Sequence, residues 1–157
     1  LCQLIEKGLV KGIIRKRLIV SVRKKHMTDT KEAVKYWKEI AEYDLETAKA
    51  MLVTKRYLYV GFMCHQVIEK IFKGYFVFKK NEMPQYTHNL MKLAKSGDFY
   101  DEFSDQQKDL IDYLEPLNIE ARYPSYKEAL LKELAKDRIE KILNETEELY
   151  KWINSKF

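Results

Sequence analysis

An all-α fold, an up-and-down bundle of four to five helices, is what three features of this sequence predict. Apolar residues recur at spacings of three and four through most of the chain, where strands would alternate at every second residue. Only five Gly and three Pro interrupt 157 residues, and 46% of them are hydrophobic, enough for one core. Links between the periodic stretches are mostly short, which favours antiparallel neighbours.

Each element follows from its own pattern. From Thr30 to about Lys55, Trp37, Ile40, Ala41, Leu45, Ala48, Met51 and Leu52 form one stripe and predict the first helix. Asp44 falls on that stripe, where a carboxylate is costly without a partner. A second helix, about Arg56 to Lys80, repeats Val60, Cys64, Val67, Ile68, Ile71, Phe72 and Tyr75. It leaves Gln66, Glu69, Lys70 and Lys73 largely on another face, with Glu69 and Lys73 as an i,i+4 pair. "NEMPQYT" ends it, and Thr87 is the expected N-cap of a short helix through Lys95, closed by Ser96-Gly97. Ser104-Asp105-Gln106-Gln107 spells a capping box for a fourth helix. Pro116 should kink or end its straight part, and Pro124 keeps Tyr123 out of helical geometry. A last helix, Lys127 to Trp152, presents Leu131, Leu134, Ile139, Ile142, Leu143, Thr146, Leu149 and Ile153.

Charge divides the chain in two. The net charge is +5, yet residues 1–26 hold eight Lys or Arg against Glu6 alone, leaving 21 basic and 23 acidic residues in 27–157. A general electrostatic grip on nucleic acid is therefore not a property of the domain. The apolar groups of the leader are too short to span a membrane, and its interspersed cations do not fit a secretory signal. A native basic arm, a cloning or fragment remnant, or a start called upstream of Met27 would each account for it. The expected domain is 27–157 with Met27 as its functional start. Cys64 lies on an apolar stripe and Cys2 far from it, so a reduced, cytoplasmic protein is the simplest reading.

Four pieces in order carry a resemblance: "YWKEIAEYDLETAKAML", "HQVIEKIFKGYF", "YTHNL" and "ARYPSY". Together they resemble the HEPN family, named for higher eukaryotes and prokaryotes nucleotide-binding, over about Tyr36 to Trp152. The resemblance implies a helical bundle, often a homodimer. It also implies a prokaryotic setting in which many members pair with a small nucleotidyltransferase as toxin and antitoxin. Some members are metal-independent ribonucleases that carry an Arg followed after four to six residues by a His. Arg122 matches the Arg, but Lys127, Glu128 and Ala129 occupy the positions where the His would stand.

The candidate residues divide accordingly. Gln66, Glu69, Lys70 and Lys73 can bond to a nucleotide or partner, or form a solvated face. His88 can contact an anion beside a helix start, or pack on the helix end. Arg122 can hold a phosphate in a two-pronged hydrogen bond, would be the catalytic residue of a ribonuclease, and has an internal alternative as an ion pair to Asp44. His65 reads as a packed histidine at the rim of the core, since nothing adjacent in sequence orients it as a base. Three dispersed His and no clustered Cys argue against a metal site, and no cofactor is expected. Most aromatic rings fall at core-facing spacings.

Three functions stay open on these grounds. One is a noncatalytic module that binds ATP or another nucleotide, or a small nucleotidyltransferase protein. Another is a ribonuclease acting on RNA with a degenerate motif, with Lys127 or Tyr126 replacing the His. The third is a bundle used only for assembly.

Overall fold

The computed structural model describes residues 29–120 and 134–157, and within them the chain is helical with no strand. Residues 1–26, Met27, Arg122, Tyr126 and Lys127 lie outside the described residues, as does the expected Asp44–Arg122 pair.

Helix α1 spans Thr30–Val53 and starts where the Asp29 carboxylate accepts from the Lys31 N–H at 2.9 Å. A tight turn at Thr54 to Arg56, with Lys55 at φ 58°, reverses the chain into α2, Tyr57–Lys80. Asn81 stops α2 in the left-handed region at φ 54°, a conformation Asn tolerates better than most residues. Next come α3, Leu90–Ser96, a 3-10 turn at Tyr100–Glu102, and α4, Asp105–Leu114. The short α5, Leu117–Glu120, and the long α6, Lys136–Asn154, complete the described elements.

The expected capping box is present in both halves. Ser104 Oγ accepts from the Gln107 N–H at 3.2 Å, and Gln107 Oε1 accepts from the Ser104 N–H at 2.9 Å. Pro116 separates α4 from α5, as its ring requires. Two boundaries differ from expectation. The third helix starts at Leu90, because Asn89 takes the capping role and accepts from the Lys92 N–H at 2.6 Å. Thr87 instead accepts from the Asn89 N–H. The last helix starts at Lys136: Ala135 is extended, so a continuous helix from Lys127 does not occur. Leu134 is buried as expected, but from a bend. Apolar spacing reads the same on both sides of such a break.

Helix α2 is the axis of the bundle and touches α1, α3, α4, α5 and α6. Fifteen of its 24 residues are buried, so it has almost no wet side. Phe72 meets Phe99 edge-on and stacks on Phe103, each at 5.4 Å between centroids, packing α2 against the segment before α4. At Gly74 the backbones of α1 and α2 come close: a Cβ there would lie 3.2 Å from Trp37 Cβ. Cys64 is a buried free thiol, and burial pushes its pKa up to about 12. No helix among the described residues is long and apolar enough to cross a membrane.

Candidate functional site

The central helix places His65, Gln66, Glu69, Lys70 and Lys73 within two turns or so, where side chains three and four apart overlap. Sequence spacing assigns most of these to a face away from the core. The helix is instead enclosed on nearly every side, and Glu69 is fully buried while Lys73 is 7% exposed. A lone carboxylate there would be too costly to keep charged, so its partners decide the site.

Those partners converge from two segments. Glu69 Oε1 accepts from Lys73 Nζ at 2.6 Å and from Lys70 Nζ at 3.2 Å. Its Oε2 accepts from His88 Nδ1 at 2.9 Å, which anchors the segment before α3 to the centre of α2. Burial alone would raise the Glu69 pKa, but Lys70, Lys73 and His88 together hold it down to about 2. The expected Glu69–Lys73 pair is thus present, inside the protein rather than on a solvated face. His88 is half-exposed and serves a carboxylate, not the start of α3.

Further polar bonds fix the orientations of these groups. Gln66 Oε1 accepts from Lys70 Nζ at 2.9 Å, so its amide nitrogen points the other way, to Asn118 Oδ1 at 3.2 Å and His65 Nδ1 at 3.4 Å. This assignment makes His65 Nδ1 an acceptor and puts the ring proton on Nε2. That nitrogen is buried and makes no hydrogen bond of good geometry among the described residues, although the ring as a whole feels the backbone of His88. Burial lowers the His65 pKa to about 4, more than the Glu69 carboxylate at 3.9 Å can offset. His65 is therefore a neutral core residue, deeper than the rim position expected for it. Asn118, on α5, lies 52 residues from Gln66, and no local pattern in the sequence signals the bond.

Asp44 on α1 completes the rim. It is half-buried, and burial raises its pKa, opposed by the charge of Lys70 and reinforced by that of Glu69. Glu115, after α4, accepts from the Met91 N–H at 3.1 Å and is likewise raised by burial. Lys70 thus lies between the carboxylates of Glu69 and Asp44, while Glu115 feels the charge of Glu69. Lys73 is sealed beneath Trp37, its Nζ 5.2 Å from the ring centroid, whereas Lys70, Gln66 and His88 reach the surface.

Among the described residues no group of three His, Cys, Asp or Glu side chains is placed to hold a metal ion. The aromatic side chains divide more evenly than spacing suggests. Tyr75 and Tyr150 are buried, but Tyr36, Tyr43, Tyr59 and Tyr86 are exposed.

Comparison with known proteins places these features in context. The HEPN domain model matches residues 34–156. The crystal structure of TT1696 from Thermus thermophilus is similar at a TM-score of 0.68 and 18% identity, over 79% of this chain and 98% of that one. At that identity the likeness concerns the fold. No curated protein matches the chain.

Proposed function

The chain belongs to the HEPN family, and on that premise we propose that it is a noncatalytic nucleotide-binding module whose site is the exposed edge of the Glu69 cluster. The observation that carries this reading is the convergence of Lys70 and His88 on one buried carboxylate, with Gln66 bonded to Lys70, while all three keep an edge in solvent. Lys70 has three ammonium donors and uses two on Gln66 and Glu69, leaving one for a phosphate oxygen. Asp44 beside it is suited to accept from a ribose hydroxyl. The carboxylates around Lys70 weaken its pull on a polyanion, so binding is weak and sensitive to salt.

Chemistry at neutral pH is poorly supported by the same groups. His65 is neutral and buried, and His88 is tied to Glu69. A buried imidazole such as that of His65 cannot reach a ligand, and the sequence lacks a His after Arg122 at the family's spacing. Calorimetric titration with ATP tests the proposal. Wild type should bind, Lys70→Ala should weaken binding at least ~5-fold, the loss of one charge-assisted contact, and neither protein should cleave RNA. Undetectable ATP binding by wild type would reject the nucleotide reading, and RNA cleavage by folded wild type would reject the noncatalytic one.

A second reading rests on a different observation. Tyr36, Tyr43, Tyr59 and Ile119 are exposed apolar side chains on α1, α2 and α5. They suit a protein partner, either a second copy or a small nucleotidyltransferase in a toxin–antitoxin-type pair. Co-purification of the chain with the product of an adjacent nucleotidyltransferase gene would test this.

A further inference from the structure

We infer that Tyr86 is the stacking platform for the nucleobase, a binding element that rests on the nucleotide-binding reading above. Tyr86 is 96% exposed, the most exposed large hydrophobic side chain among the described residues. Folding makes almost no use of its ring. A ring left in water is ordinarily free to wander, but this one sits in a segment fixed at both ends. At one end Asn81 Oδ1 accepts from Thr30 Oγ1 at 2.6 Å. At the other, Thr87 accepts from the Asn89 N–H, and Asn89 caps α3. Between them Pro84 stiffens the backbone.

The ring also has a fixed neighbour. Tyr86 meets His88 edge to face, with centroids 5.9 Å apart and planes at 68°. His88 is in turn held by Glu69, whose other oxygen holds Lys70. One carboxylate group therefore spans the distance between the imidazole beside Tyr86 and the ammonium proposed to meet phosphate. A nucleotide needs the same order of contacts, a flat apolar face for the base and a cation for the phosphates. Stacking on an aromatic side chain is tolerant of base identity, because every base presents a π-face. Tyr86 therefore serves ATP and GTP alike.

Binding of ATP, GTP and inorganic tripolyphosphate to wild type, Tyr86→Ala and Tyr86→Phe separates the two claims. At 96% exposure, Tyr86 can be replaced without disturbing the core. The expected result is that Tyr86→Ala weakens ATP and GTP by roughly 5- to 100-fold, the loss of one base–aromatic stack. Tripolyphosphate binding should be unchanged, and Tyr86→Phe should restore both nucleotides. If Tyr86→Ala binds ATP and GTP as wild type does, the stacking role is wrong while the nucleotide site stands. If tripolyphosphate weakens in parallel, Tyr86 acts only by positioning His88, and the inference is overturned. Failure of wild type to bind any of the three rejects both the site and the platform.

Discussion

Glu69 and Lys73, one turn apart on α2, meet at 2.6 Å inside the bundle, with the carboxylate fully buried and the ammonium almost so. Their partners are unequal. Glu69 keeps Lys70 and His88 if Lys73 is lost, whereas Lys73, without Glu69, keeps only the Trp37 ring among the described contacts.

That asymmetry predicts the outcome of a double-mutant cycle. Glu69→Gln should cost roughly 3–5 kcal/mol because it strands a buried ammonium. Lys73→Met, which preserves the apolar stem, should cost about 1–3 kcal/mol. The double variant should be more stable than Glu69→Gln alone, as read from urea unfolding at pH 7. Strictly additive losses would mean that the two groups do not sense each other. Reversing the charge of Lys73 should abolish folding, so tests of surface binding belong on Lys70 alone.

Most of the fold is legible in the sequence, and most of the site is not, for one reason. Helical spacing locates α1, α2 and α4, and the Ser104–Gln107 box fixes a boundary outright. Yet spacing describes two sides of a helix, and α2 is enclosed on nearly every side, so Glu69 and Lys73 read as solvated although they are interior. The bonds that reach Glu69 and Gln66 from outside α2 come from His88 and Asn118, placed by loop and helix packing that local sequence does not encode. The α3 cap falls on Asn89 rather than Thr87 because two acceptors compete there and only geometry chooses between them.

Acid should destabilise the protein through two separate windows. His65 has its pKa lowered to about 4 from 6.5, so the folded state binds fewer protons than the unfolded chain between those values. Its contribution is complete above pH 6.5 and is lost as pH falls through 4, about 3 kcal/mol in all. Glu69 is held at about 2 against 4.5, so its contribution is present above 4.5 and is lost as pH falls through 2. Chemical unfolding of wild type and His65→Leu at pH 7, 5.5 and 4 isolates the upper window, since other groups cancel in the comparison. His65→Leu should flatten the slope, and an unchanged slope would refute the assignment.

Asp44 offers a test of the pairing expected with Arg122. Its pKa is raised, so among the described residues its charge is under-compensated and works against stability as pH rises through the carboxylate range. On those contacts alone Asp44→Asn should be neutral or stabilising at pH 7. A direct pair to Arg122 predicts the reverse, a loss that Arg122→Met does not deepen. Melting temperatures of the two single variants and the double variant choose between these outcomes. Independent, additive effects would discard the ion pair.

Tyr43 is 71% exposed and Tyr36 is 49% exposed, seven residues apart on α1 and therefore on one face. Ile40, half-buried, lies between them, and Tyr59 on α2 is 52% exposed. Rings of this size left in water on a small domain favour a partner surface, and a two-fold dimer is the commonest way to supply one. Tyr43 and Tyr36 lie on the outer side of α1, while Ala41, Leu45 and Ala48 take its buried side, so replacing both tyrosines should spare the core. Sedimentation at tens of micromolar should therefore give a dimer for wild type and a monomer for the Tyr36→Glu, Tyr43→Glu double variant, with the melting temperature extrapolated to low concentration nearly the same for both. A wild-type monomer would reject the dimer, and a dimer that survives the double variant would move its interface away from α1.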